Sequence, residues 1–334
     1  MARQRMKLDV RRERFAYKQP FRIAGHVFTE TVLVVAELSE GEHVGRGEGA
    51  GVYYLGDDAD RMEAAIEAAR PAIEAGASRA DLQELMPAGG GRNAVDCAYW
   101  DLEARQARIP VWQLAGLPEP RPLRTTITLG AEAPEAMANA ATALPDARAL
   151  KLKLTGDAPI DAARVAAVRD ARPGCWLGVD ANQGYKIGQL AALVDTLLAH
   201  DVKLLEQPLA RGREGDLDGF ARRLPMAADE SALGLGDVEG LRGRFDVVNI
   251  KLDKCGGLTE GIAIARRARD AGLGVMVGNM MGTSLSMAPS FVLGQLCDIV
   301  DLDGPTFLTA DRTPSVHYQN GDIWCGADVW GFDR

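Results

Sequence analysis

The sequence has few of the residues from which many functional sites are built. Only four of its 334 residues are histidine (His26, His43, His200 and His317), and none clusters with another. The five cysteines, Cys97, Cys175, Cys255, Cys297 and Cys325, are scattered, odd in number and free of any C-x-x-C spacing. That argues against a disulfide framework or a zinc site and fits thiols kept in a reducing compartment. No apolar run approaches the roughly 20 residues that span a bilayer. The basic stretch 1–14 is followed by no apolar segment of the kind a secretory leader carries. A cytoplasmic protein without a membrane partner is expected. Excess positive charge is lacking too: 38 Lys and Arg against 47 Asp and Glu give a net charge of −9. Nucleic acid, whose phosphates require a basic surface, is therefore not an expected partner. With so few histidine and cysteine ligands, any metal is expected to be held by carboxylates, which suits a hard ion such as magnesium.

What is present is an ordinary globular composition, 47% hydrophobic and 25% charged, at a length that allows two domains or one barrel with additions. Residues 31–38 (TVLVVAEL) alternate and are β-branched, which predicts a strand. Helical patterns follow at 57–75, where Pro71 is expected to kink or break the helix, and at 92–107. Between them, PAGGGR (87–92) lacks the Lys-Ser/Thr ending of a phosphate loop, so it reads as a turn packed closely on another element. These features predict a small α+β domain over 1–120. Eight short apolar runs then recur at 125–129, 150–154, 175–179, 202–205, 225–228, 247–250, 274–278 and 298–302, separated mostly by Ala-rich helical stretches. That alternation predicts βαβ units closing into a (β/α)8-type barrel over 121–305. No helical pattern follows the eighth run, so 306–334 is expected to be a tail returning to the N-terminal domain.

The charges are what make the barrel informative. Lys151 and Lys153 lie on the second strand, Asp180 ends the third, Glu206 the fourth, Asp229 the fifth and Lys251 the sixth. C-terminal strand ends of such a barrel converge on one mouth, so side chains spread over about 100 residues of sequence should meet. Three convergent carboxylates repel one another unless a cation sits between them, and Asp180, Glu206 and Asp229 suit one magnesium ion. Lys153 and Lys251 then face each other across it. Lys151 and Lys153 share a strand face, and their mutual repulsion is expected to depress a lysine pKa from ~10.4 towards the range of a general base. The reaction that needs two opposed lysines and a cation is removal of a proton α to a carboxylate. One lysine takes the proton, the other returns it from the opposite face, and the carbon is inverted.

The runs KLKL (151–154), DANQGY (180–185), LLEQPL (204–209), ADES (228–231) and NIKLDKCGG (249–257) closely resemble those of the enolase superfamily, muconate-lactonizing subgroup. GGRNAVDCAYWDLEAR (90–105) resembles that family's N-terminal capping domain. The resemblance implies a modified (β/α)7β TIM-type barrel under an α+β cap, one essential magnesium per subunit, and Lys153 and Lys251 as the acid/base pair. It leaves a homo-oligomer open without pointing to an interface. DLDGP at the end of the eighth strand is similar to the D-x-D pair of the dipeptide epimerases, such as those acting on Ala-Glu. By that resemblance Asp301 and Asp303 hold the substrate's α-ammonium group, while Thr126, Lys151, Asn279 and Met281 line the substrate. One departure concerns the second amino acid: the position that aligns with an arginine of the Ala-Glu enzymes is Gly25, and Arg22 lies three residues earlier.

The leading expectation is a magnesium-dependent dipeptide epimerase acting at the α-carbon of the C-terminal residue. Two alternatives stand beside it. One is a different reaction on the same fold: N-acylamino-acid racemisation, an o-succinylbenzoate synthase-like elimination, or cycloisomerisation. The other is a non-catalytic barrel that binds a ligand.

Overall fold

The structure is a computed structural model that describes residues 6–23 and 25–332. It opens with three antiparallel strands, β1 (Lys7–Ile23), β2 (His26–Glu40) and β3 (His43–Ala50). The apolar run 31–38 falls inside β2. Its neighbours carry no strand signal in the sequence because β1 is dense in exposed charge and three of the eight residues of β3 are glycine. Those glycines have a packing role. A Cβ on Gly45, Gly47 or Gly49 would come within 2.2, 2.0 and 2.0 Å of the carbonyl oxygens of Ala98, Ala94 and Gly90. Only a bare backbone lets the helix beneath approach so closely.

The helices of this domain are α1 (Ala59–Glu74), α2 (Arg79–Leu85) and α3 (Gly90–Ala107). α1 continues through Pro71 without a break. Met62, Ile66, Ala69 and Ile73 bury one stripe of it, and that packing outweighs the proline's local cost. The glycine-rich segment before α3 does make a tight contact, since a Cβ on Gly90 would lie 2.3 Å from the Ala50 carbonyl oxygen. After the short α4 (Val111–Leu114), a two-residue strand β4 (Leu123–Arg124) leads into the second unit.

There, β5 (Ile127–Leu129), β6 (Ala149–Lys153), β7 (Trp176–Asp180), β8 (Leu204–Glu206), β9 (Met226–Ala228), β10 (Val247–Ile250), β11 (Gly274–Val277) and β12 (Ile299–Val300) form a parallel sheet in sequence order. Helices α5 (Pro134–Thr142), α6 (Ala158–Ala171), α7 (Ile187–Ala199), α8 (Val238–Leu241), α9 (Leu252–Cys255), α10 (Leu258–Asp270) and α11 (Ser284–Gly294) occupy the crossovers, but β8 and β9 are joined only by a 3-10 turn. The first and last strands are not joined by a ladder. The Thr126 N–H reaches the Val300 carbonyl (3.0 Å), the Leu302 N–H the Thr125 hydroxyl (2.9 Å), and the Thr128 N–H the Asp303 carboxylate (2.6 Å). This is the capped TIM-type barrel the sequence predicts. Among the described residues no helix is long and apolar enough to cross a membrane.

The two units are bolted together through α3. The buried Arg92 guanidinium donates to the carbonyls of Cys255 (2.5 Å) and Gly256 (3.2 Å) and pairs with Glu260. Asn93 donates to Asp253 (2.8 Å), as does the Ala50 N–H (2.9 Å). At the chain's end, β13 (His317–Gln319) and β14 (Asp322–Trp324) form a hairpin on β4. Beyond it, the Trp330 indole donates to the Arg46 carbonyl of β3 (2.8 Å) and the Gly331 N–H to Asp101 of α3 (2.9 Å).

Candidate active site

Register brings the charged strand ends together. In the parallel ladder Lys153 is the partner of Asp180, and Asp180 the partner of Glu206, so the three side chains leave adjacent strands at one level. Asp229 follows β9 directly, and one ligand oxygen from each of Asp180, Glu206 and Asp229 lies within 4.8 Å of the others. All three side chains are buried. Such crowding is unfavourable for anions: burial, then the Asp180 charge, pushes Glu206 up to about 7. An all-oxygen, triply acidic, buried set is what a hard divalent cation neutralises, and magnesium fits this donor chemistry.

The lysines flank this set. Lys153, from β6, donates to Asp180 (2.5 Å), and Lys251, just past β10, donates to Asp229 (2.7 Å). They approach from opposite ends of the triad because three strands separate their own. The structure departs from the expectation that Lys151 and Lys153 tune one another. Lys151 is turned to Asp301 and to Glu206 (3.3 Å), while Lys153 is turned to Asp180. Burial alone would lower the Lys151 pKa, but the Asp301 and Glu206 charges override it and hold it above its usual range. Lys251 is likewise raised: burial would lower it, but Asp229, Glu206 and Asp180 together override that.

Sequence reasoning passed over four supporting residues. Lys254, in α9, is buried and donates to the Asp229 carboxylate (2.6 Å), the Asp229 carbonyl (2.6 Å) and the Asn249 carbonyl (2.9 Å). Burial would raise the Asp229 pKa, but Lys251 and Lys254 hold it far below the usual carboxylate range. Asn249 donates to Glu206 (2.7 Å). Asn182, at φ 40°, donates to Asp180 through its N–H (2.9 Å) and its amide (3.2 Å). Gln207 accepts from the Asp229 N–H (3.0 Å). Their signal was in the motifs themselves: KLDK puts a second lysine on one turn with Lys251, and Asn249 shares a strand face with it.

The aspartates at the eighth strand differ from each other. Asp301 accepts from Lys151 and from the Thr126 hydroxyl. Burial pushes it up, but Lys151, the Thr126 hydroxyl and Lys153 together more than offset this and leave it below the usual range. Asp303 accepts from the Thr128 N–H, and burial followed by repulsion from Asp301 pushes it up to about 6. An ammonium group is what such a carboxylate lacks.

These groups surround a cavity of about 550 Å³, a size suited to a small-molecule substrate. Lys151, Lys153, Lys251, Asp229, Asp301 and Asp303 line it, as do Asn279 and Met281, with Asp180 and Glu206 behind them. Asn279 also donates to the Asp301 carbonyl (2.6 Å). Thr126 is not in the lining; it buttresses Asp301, and Thr128 takes the place expected of it. Nor do Arg22, Gly25 or His26 line the cavity: Arg22 pairs with Glu132 (2.9 Å) and His26 packs edge-on to Tyr53. Glu230 does line it, and burial with the neighbouring Asp229 pushes its carboxyl up to about 8.

Comparison with known proteins agrees with this geometry. Residues 5–116 match the family described as "Mandelate racemase / muconate lactonizing enzyme, N-terminal domain", and residues 131–311 match "Enolase C-terminal domain-like". The chain is 38% identical over 304 residues to L-Ala-D/L-Glu epimerase of Escherichia coli, covering 91% of this chain and 95% of that protein. Among solved structures it is similar to an enolase family member from Agrobacterium tumefaciens with homology to dipeptide epimerases, holding sodium and L-Ala-L-Glu. That similarity is 36% identity at a TM-score of 0.93 over 98% of this chain and 100% of that one. It is also similar to the dipeptide epimerase of Enterococcus faecalis complexed with Mg and L-Leu-L-Tyr, at 28% identity, TM-score 0.90 and 96% of each chain.

Proposed function

Because the chain belongs to the enolase superfamily, in its mandelate racemase/muconate lactonizing branch, we propose that it is a magnesium-dependent isomerase that epimerises dipeptides at the α-carbon of the C-terminal residue. The observation that carries this reading is the pair of buried lysines, Lys153 and Lys251, on opposite flanks of three buried carboxylates. Asp180, Glu206 and Asp229 would hold the ion. A magnesium ion held there would supply positive charge that stabilises the substrate carboxylate as it takes on an electron pair and that weakens the pull of Asp229 on the Lys251 proton.

The chain's own residues do the rest. One lysine, as the amine, accepts the α-proton, and the electron pair of the C–H bond moves into the carboxylate as an enediolate. The other lysine, as the ammonium, delivers a proton to the opposite face, and the carbon is inverted. Each lysine takes the acceptor role for one diastereomer, so the enzyme works in both directions. Lys254, Asn249 and Asn182 hold the three carboxylates in place through the hydrogen bonds described above. Asp303, with Asp301 beside it, receives the α-ammonium of the first residue, and that charge pairing fixes which α-carbon lies between the lysines. The five free cysteines suit a reducing compartment and support a cytoplasmic location.

The test is incubation with magnesium in deuterated water and a panel of L,L and L,D dipeptides, followed by mass spectrometry and chiral analysis. One deuterium at the C-terminal residue's α-carbon, mixed configuration there and abolition by EDTA are expected. Absence of exchange in every free-amine dipeptide, with turnover of N-acylamino acids instead, would replace this reading by N-acylamino-acid racemisation.

A further inference from the structure

The charged floor of the cavity lies under an apolar wall. Phe21 and Phe28 are direct partners across β1 and β2. Side chains alternate along β1, so Phe21 and Ile23 face the cavity while Arg22 between them points away to Glu132. Tyr17, Phe21, Ile23 and Leu308 form a buried cluster, and Phe28 and Tyr53 pack against it.

The rings divide over two corners. Phe21 packs edge-on to Phe307 at 5.1 Å, four residues past Asp303, so this contact sits at the amino end of the site. Phe28 packs edge-on to Tyr53 at 5.3 Å. Tyr53 lines the cavity together with Lys251, Glu230 and the metal ligand Asp229. A substrate carbon placed between Lys153 and Lys251 would have Phe28 and Tyr53 as the wall beside its side chain.

Among the described residues, no unpaired cation of the lining serves that wall. Apart from the floor lysines, the cations in the lining are Arg12 and Arg14. Arg12 is held by Asp60 (2.6 Å) and Glu63 (2.5 Å), and Arg14 by Glu30 (2.5 Å). A substrate carboxylate directed there would lose its water against aromatic faces and gain no donor, whereas an apolar or ring-bearing side chain gains burial and ring packing.

We propose that Phe28 and Tyr53 are specificity-determining residues that select dipeptides whose inverted residue carries a large uncharged apolar or aromatic side chain. This inference rests on the epimerase reading above. It is tested by the rate of deuterium incorporation into L-Ala-L-Phe, L-Ala-L-Leu, L-Ala-L-Glu and L-Ala-L-Lys with magnesium.

For the wild-type protein, kcat/KM for the Phe and Leu dipeptides is expected to exceed that for the Glu and Lys dipeptides by about tenfold or more, the scale on which one pocket contact discriminates. Phe28→Arg should move the preference towards L-Ala-L-Glu, Phe28→Leu should preserve it, and Tyr53→Ala should narrow it by raising KM for the apolar dipeptides. Arg22→Ala should leave the order unchanged. If L-Ala-L-Glu or L-Ala-L-Lys matches or beats the apolar dipeptides in the wild type, the specificity inference is overturned while the epimerase reading stands. No exchange in any of the four, or in the wider dipeptide panel, overturns both. A folded Phe28→Arg with the wild-type order overturns the role of Phe28. Should that variant not fold, the wild-type order and Tyr53→Ala decide.

Discussion

Asp303→Asn is expected to make the protein more stable and less active, and the pH dependence of the first effect identifies its cause. Asp303 is buried, lies against Asp301 and is pushed from 3.8 up to about 6. Its folded pKa exceeds its unfolded one, so the folded state binds the extra proton and stability falls as pH rises from about 4 through 6. At about 1.4 kcal/mol per tenfold in proton affinity, the displacement makes the ionised group cost roughly 3 kcal/mol at pH 8. Asparagine keeps an oxygen for the Thr128 N–H and carries no charge, so it removes that cost. Urea denaturation should find the variant up to roughly 3 kcal/mol more stable than wild type at pH 8. The advantage should shrink as pH falls through 6 and vanish near 4. The same change removes the acceptor of the substrate ammonium, a charge-assisted contact worth about 1.5–3 kcal/mol, so kcat/KM on free-amine dipeptides should fall by roughly 10- to 150-fold, mainly through KM. A variant less stable than wild type at pH 8, or a stability difference independent of pH, would refute the electrostatic account. An unchanged KM would refute the ammonium site.

Three further substitutions probe the rest of the site. Lys153→Ala and Lys251→Ala should each lower epimerisation by about 10²- to 10⁴-fold, and each should retain α-proton exchange, followed by NMR in deuterated water, from one diastereomer only. A single variant that washes out both diastereomers at the wild-type rate would sink the two-lysine mechanism. Lys254→Met leaves the buried Asp229 without one of its two ammonium partners, which should cost about 3–5 kcal/mol in urea denaturation; wild-type stability would show that Lys254 is not needed to hold the carboxylate.

Much of this site is legible in the sequence, for a geometric reason. A parallel barrel gathers strand ends whatever the distance between them in sequence, so Lys153, Asp180, Glu206, Asp229 and Lys251 could be assembled from strand counting alone. What stayed hidden depends on which way a side chain turns. Lys151 and Lys153 share a face, yet Asp301 draws one away and Asp180 the other. Lys254 sits unremarked inside the NIKLDKCGG run, because nothing in the sequence says that its side chain turns inward. β3 escaped detection because its pattern serves a close approach by α3 rather than a hydrophobic face, and α1 is unbroken at Pro71 because its buried stripe outweighs the local cost of proline. Arg22 drew notice as a charge near the substrate, but strand alternation sends it outward and leaves Phe21 and Ile23 facing in.

The seam between β5 and β12 limits how this protein could acquire a new substrate. Asp301 and Asp303 accept from Thr126 and Thr128, so the residues that would read the substrate's amino end also close the sheet. The aromatic wall has no such second duty, because Phe28 and Tyr53 belong to the cap and can be exchanged without reopening the barrel. Divergence among descendants of this chain should therefore run quickly at the side-chain end of the substrate and slowly at the amino end. A lineage that abandoned the free amine would need compensating changes at Thr126 and Thr128 in the same step.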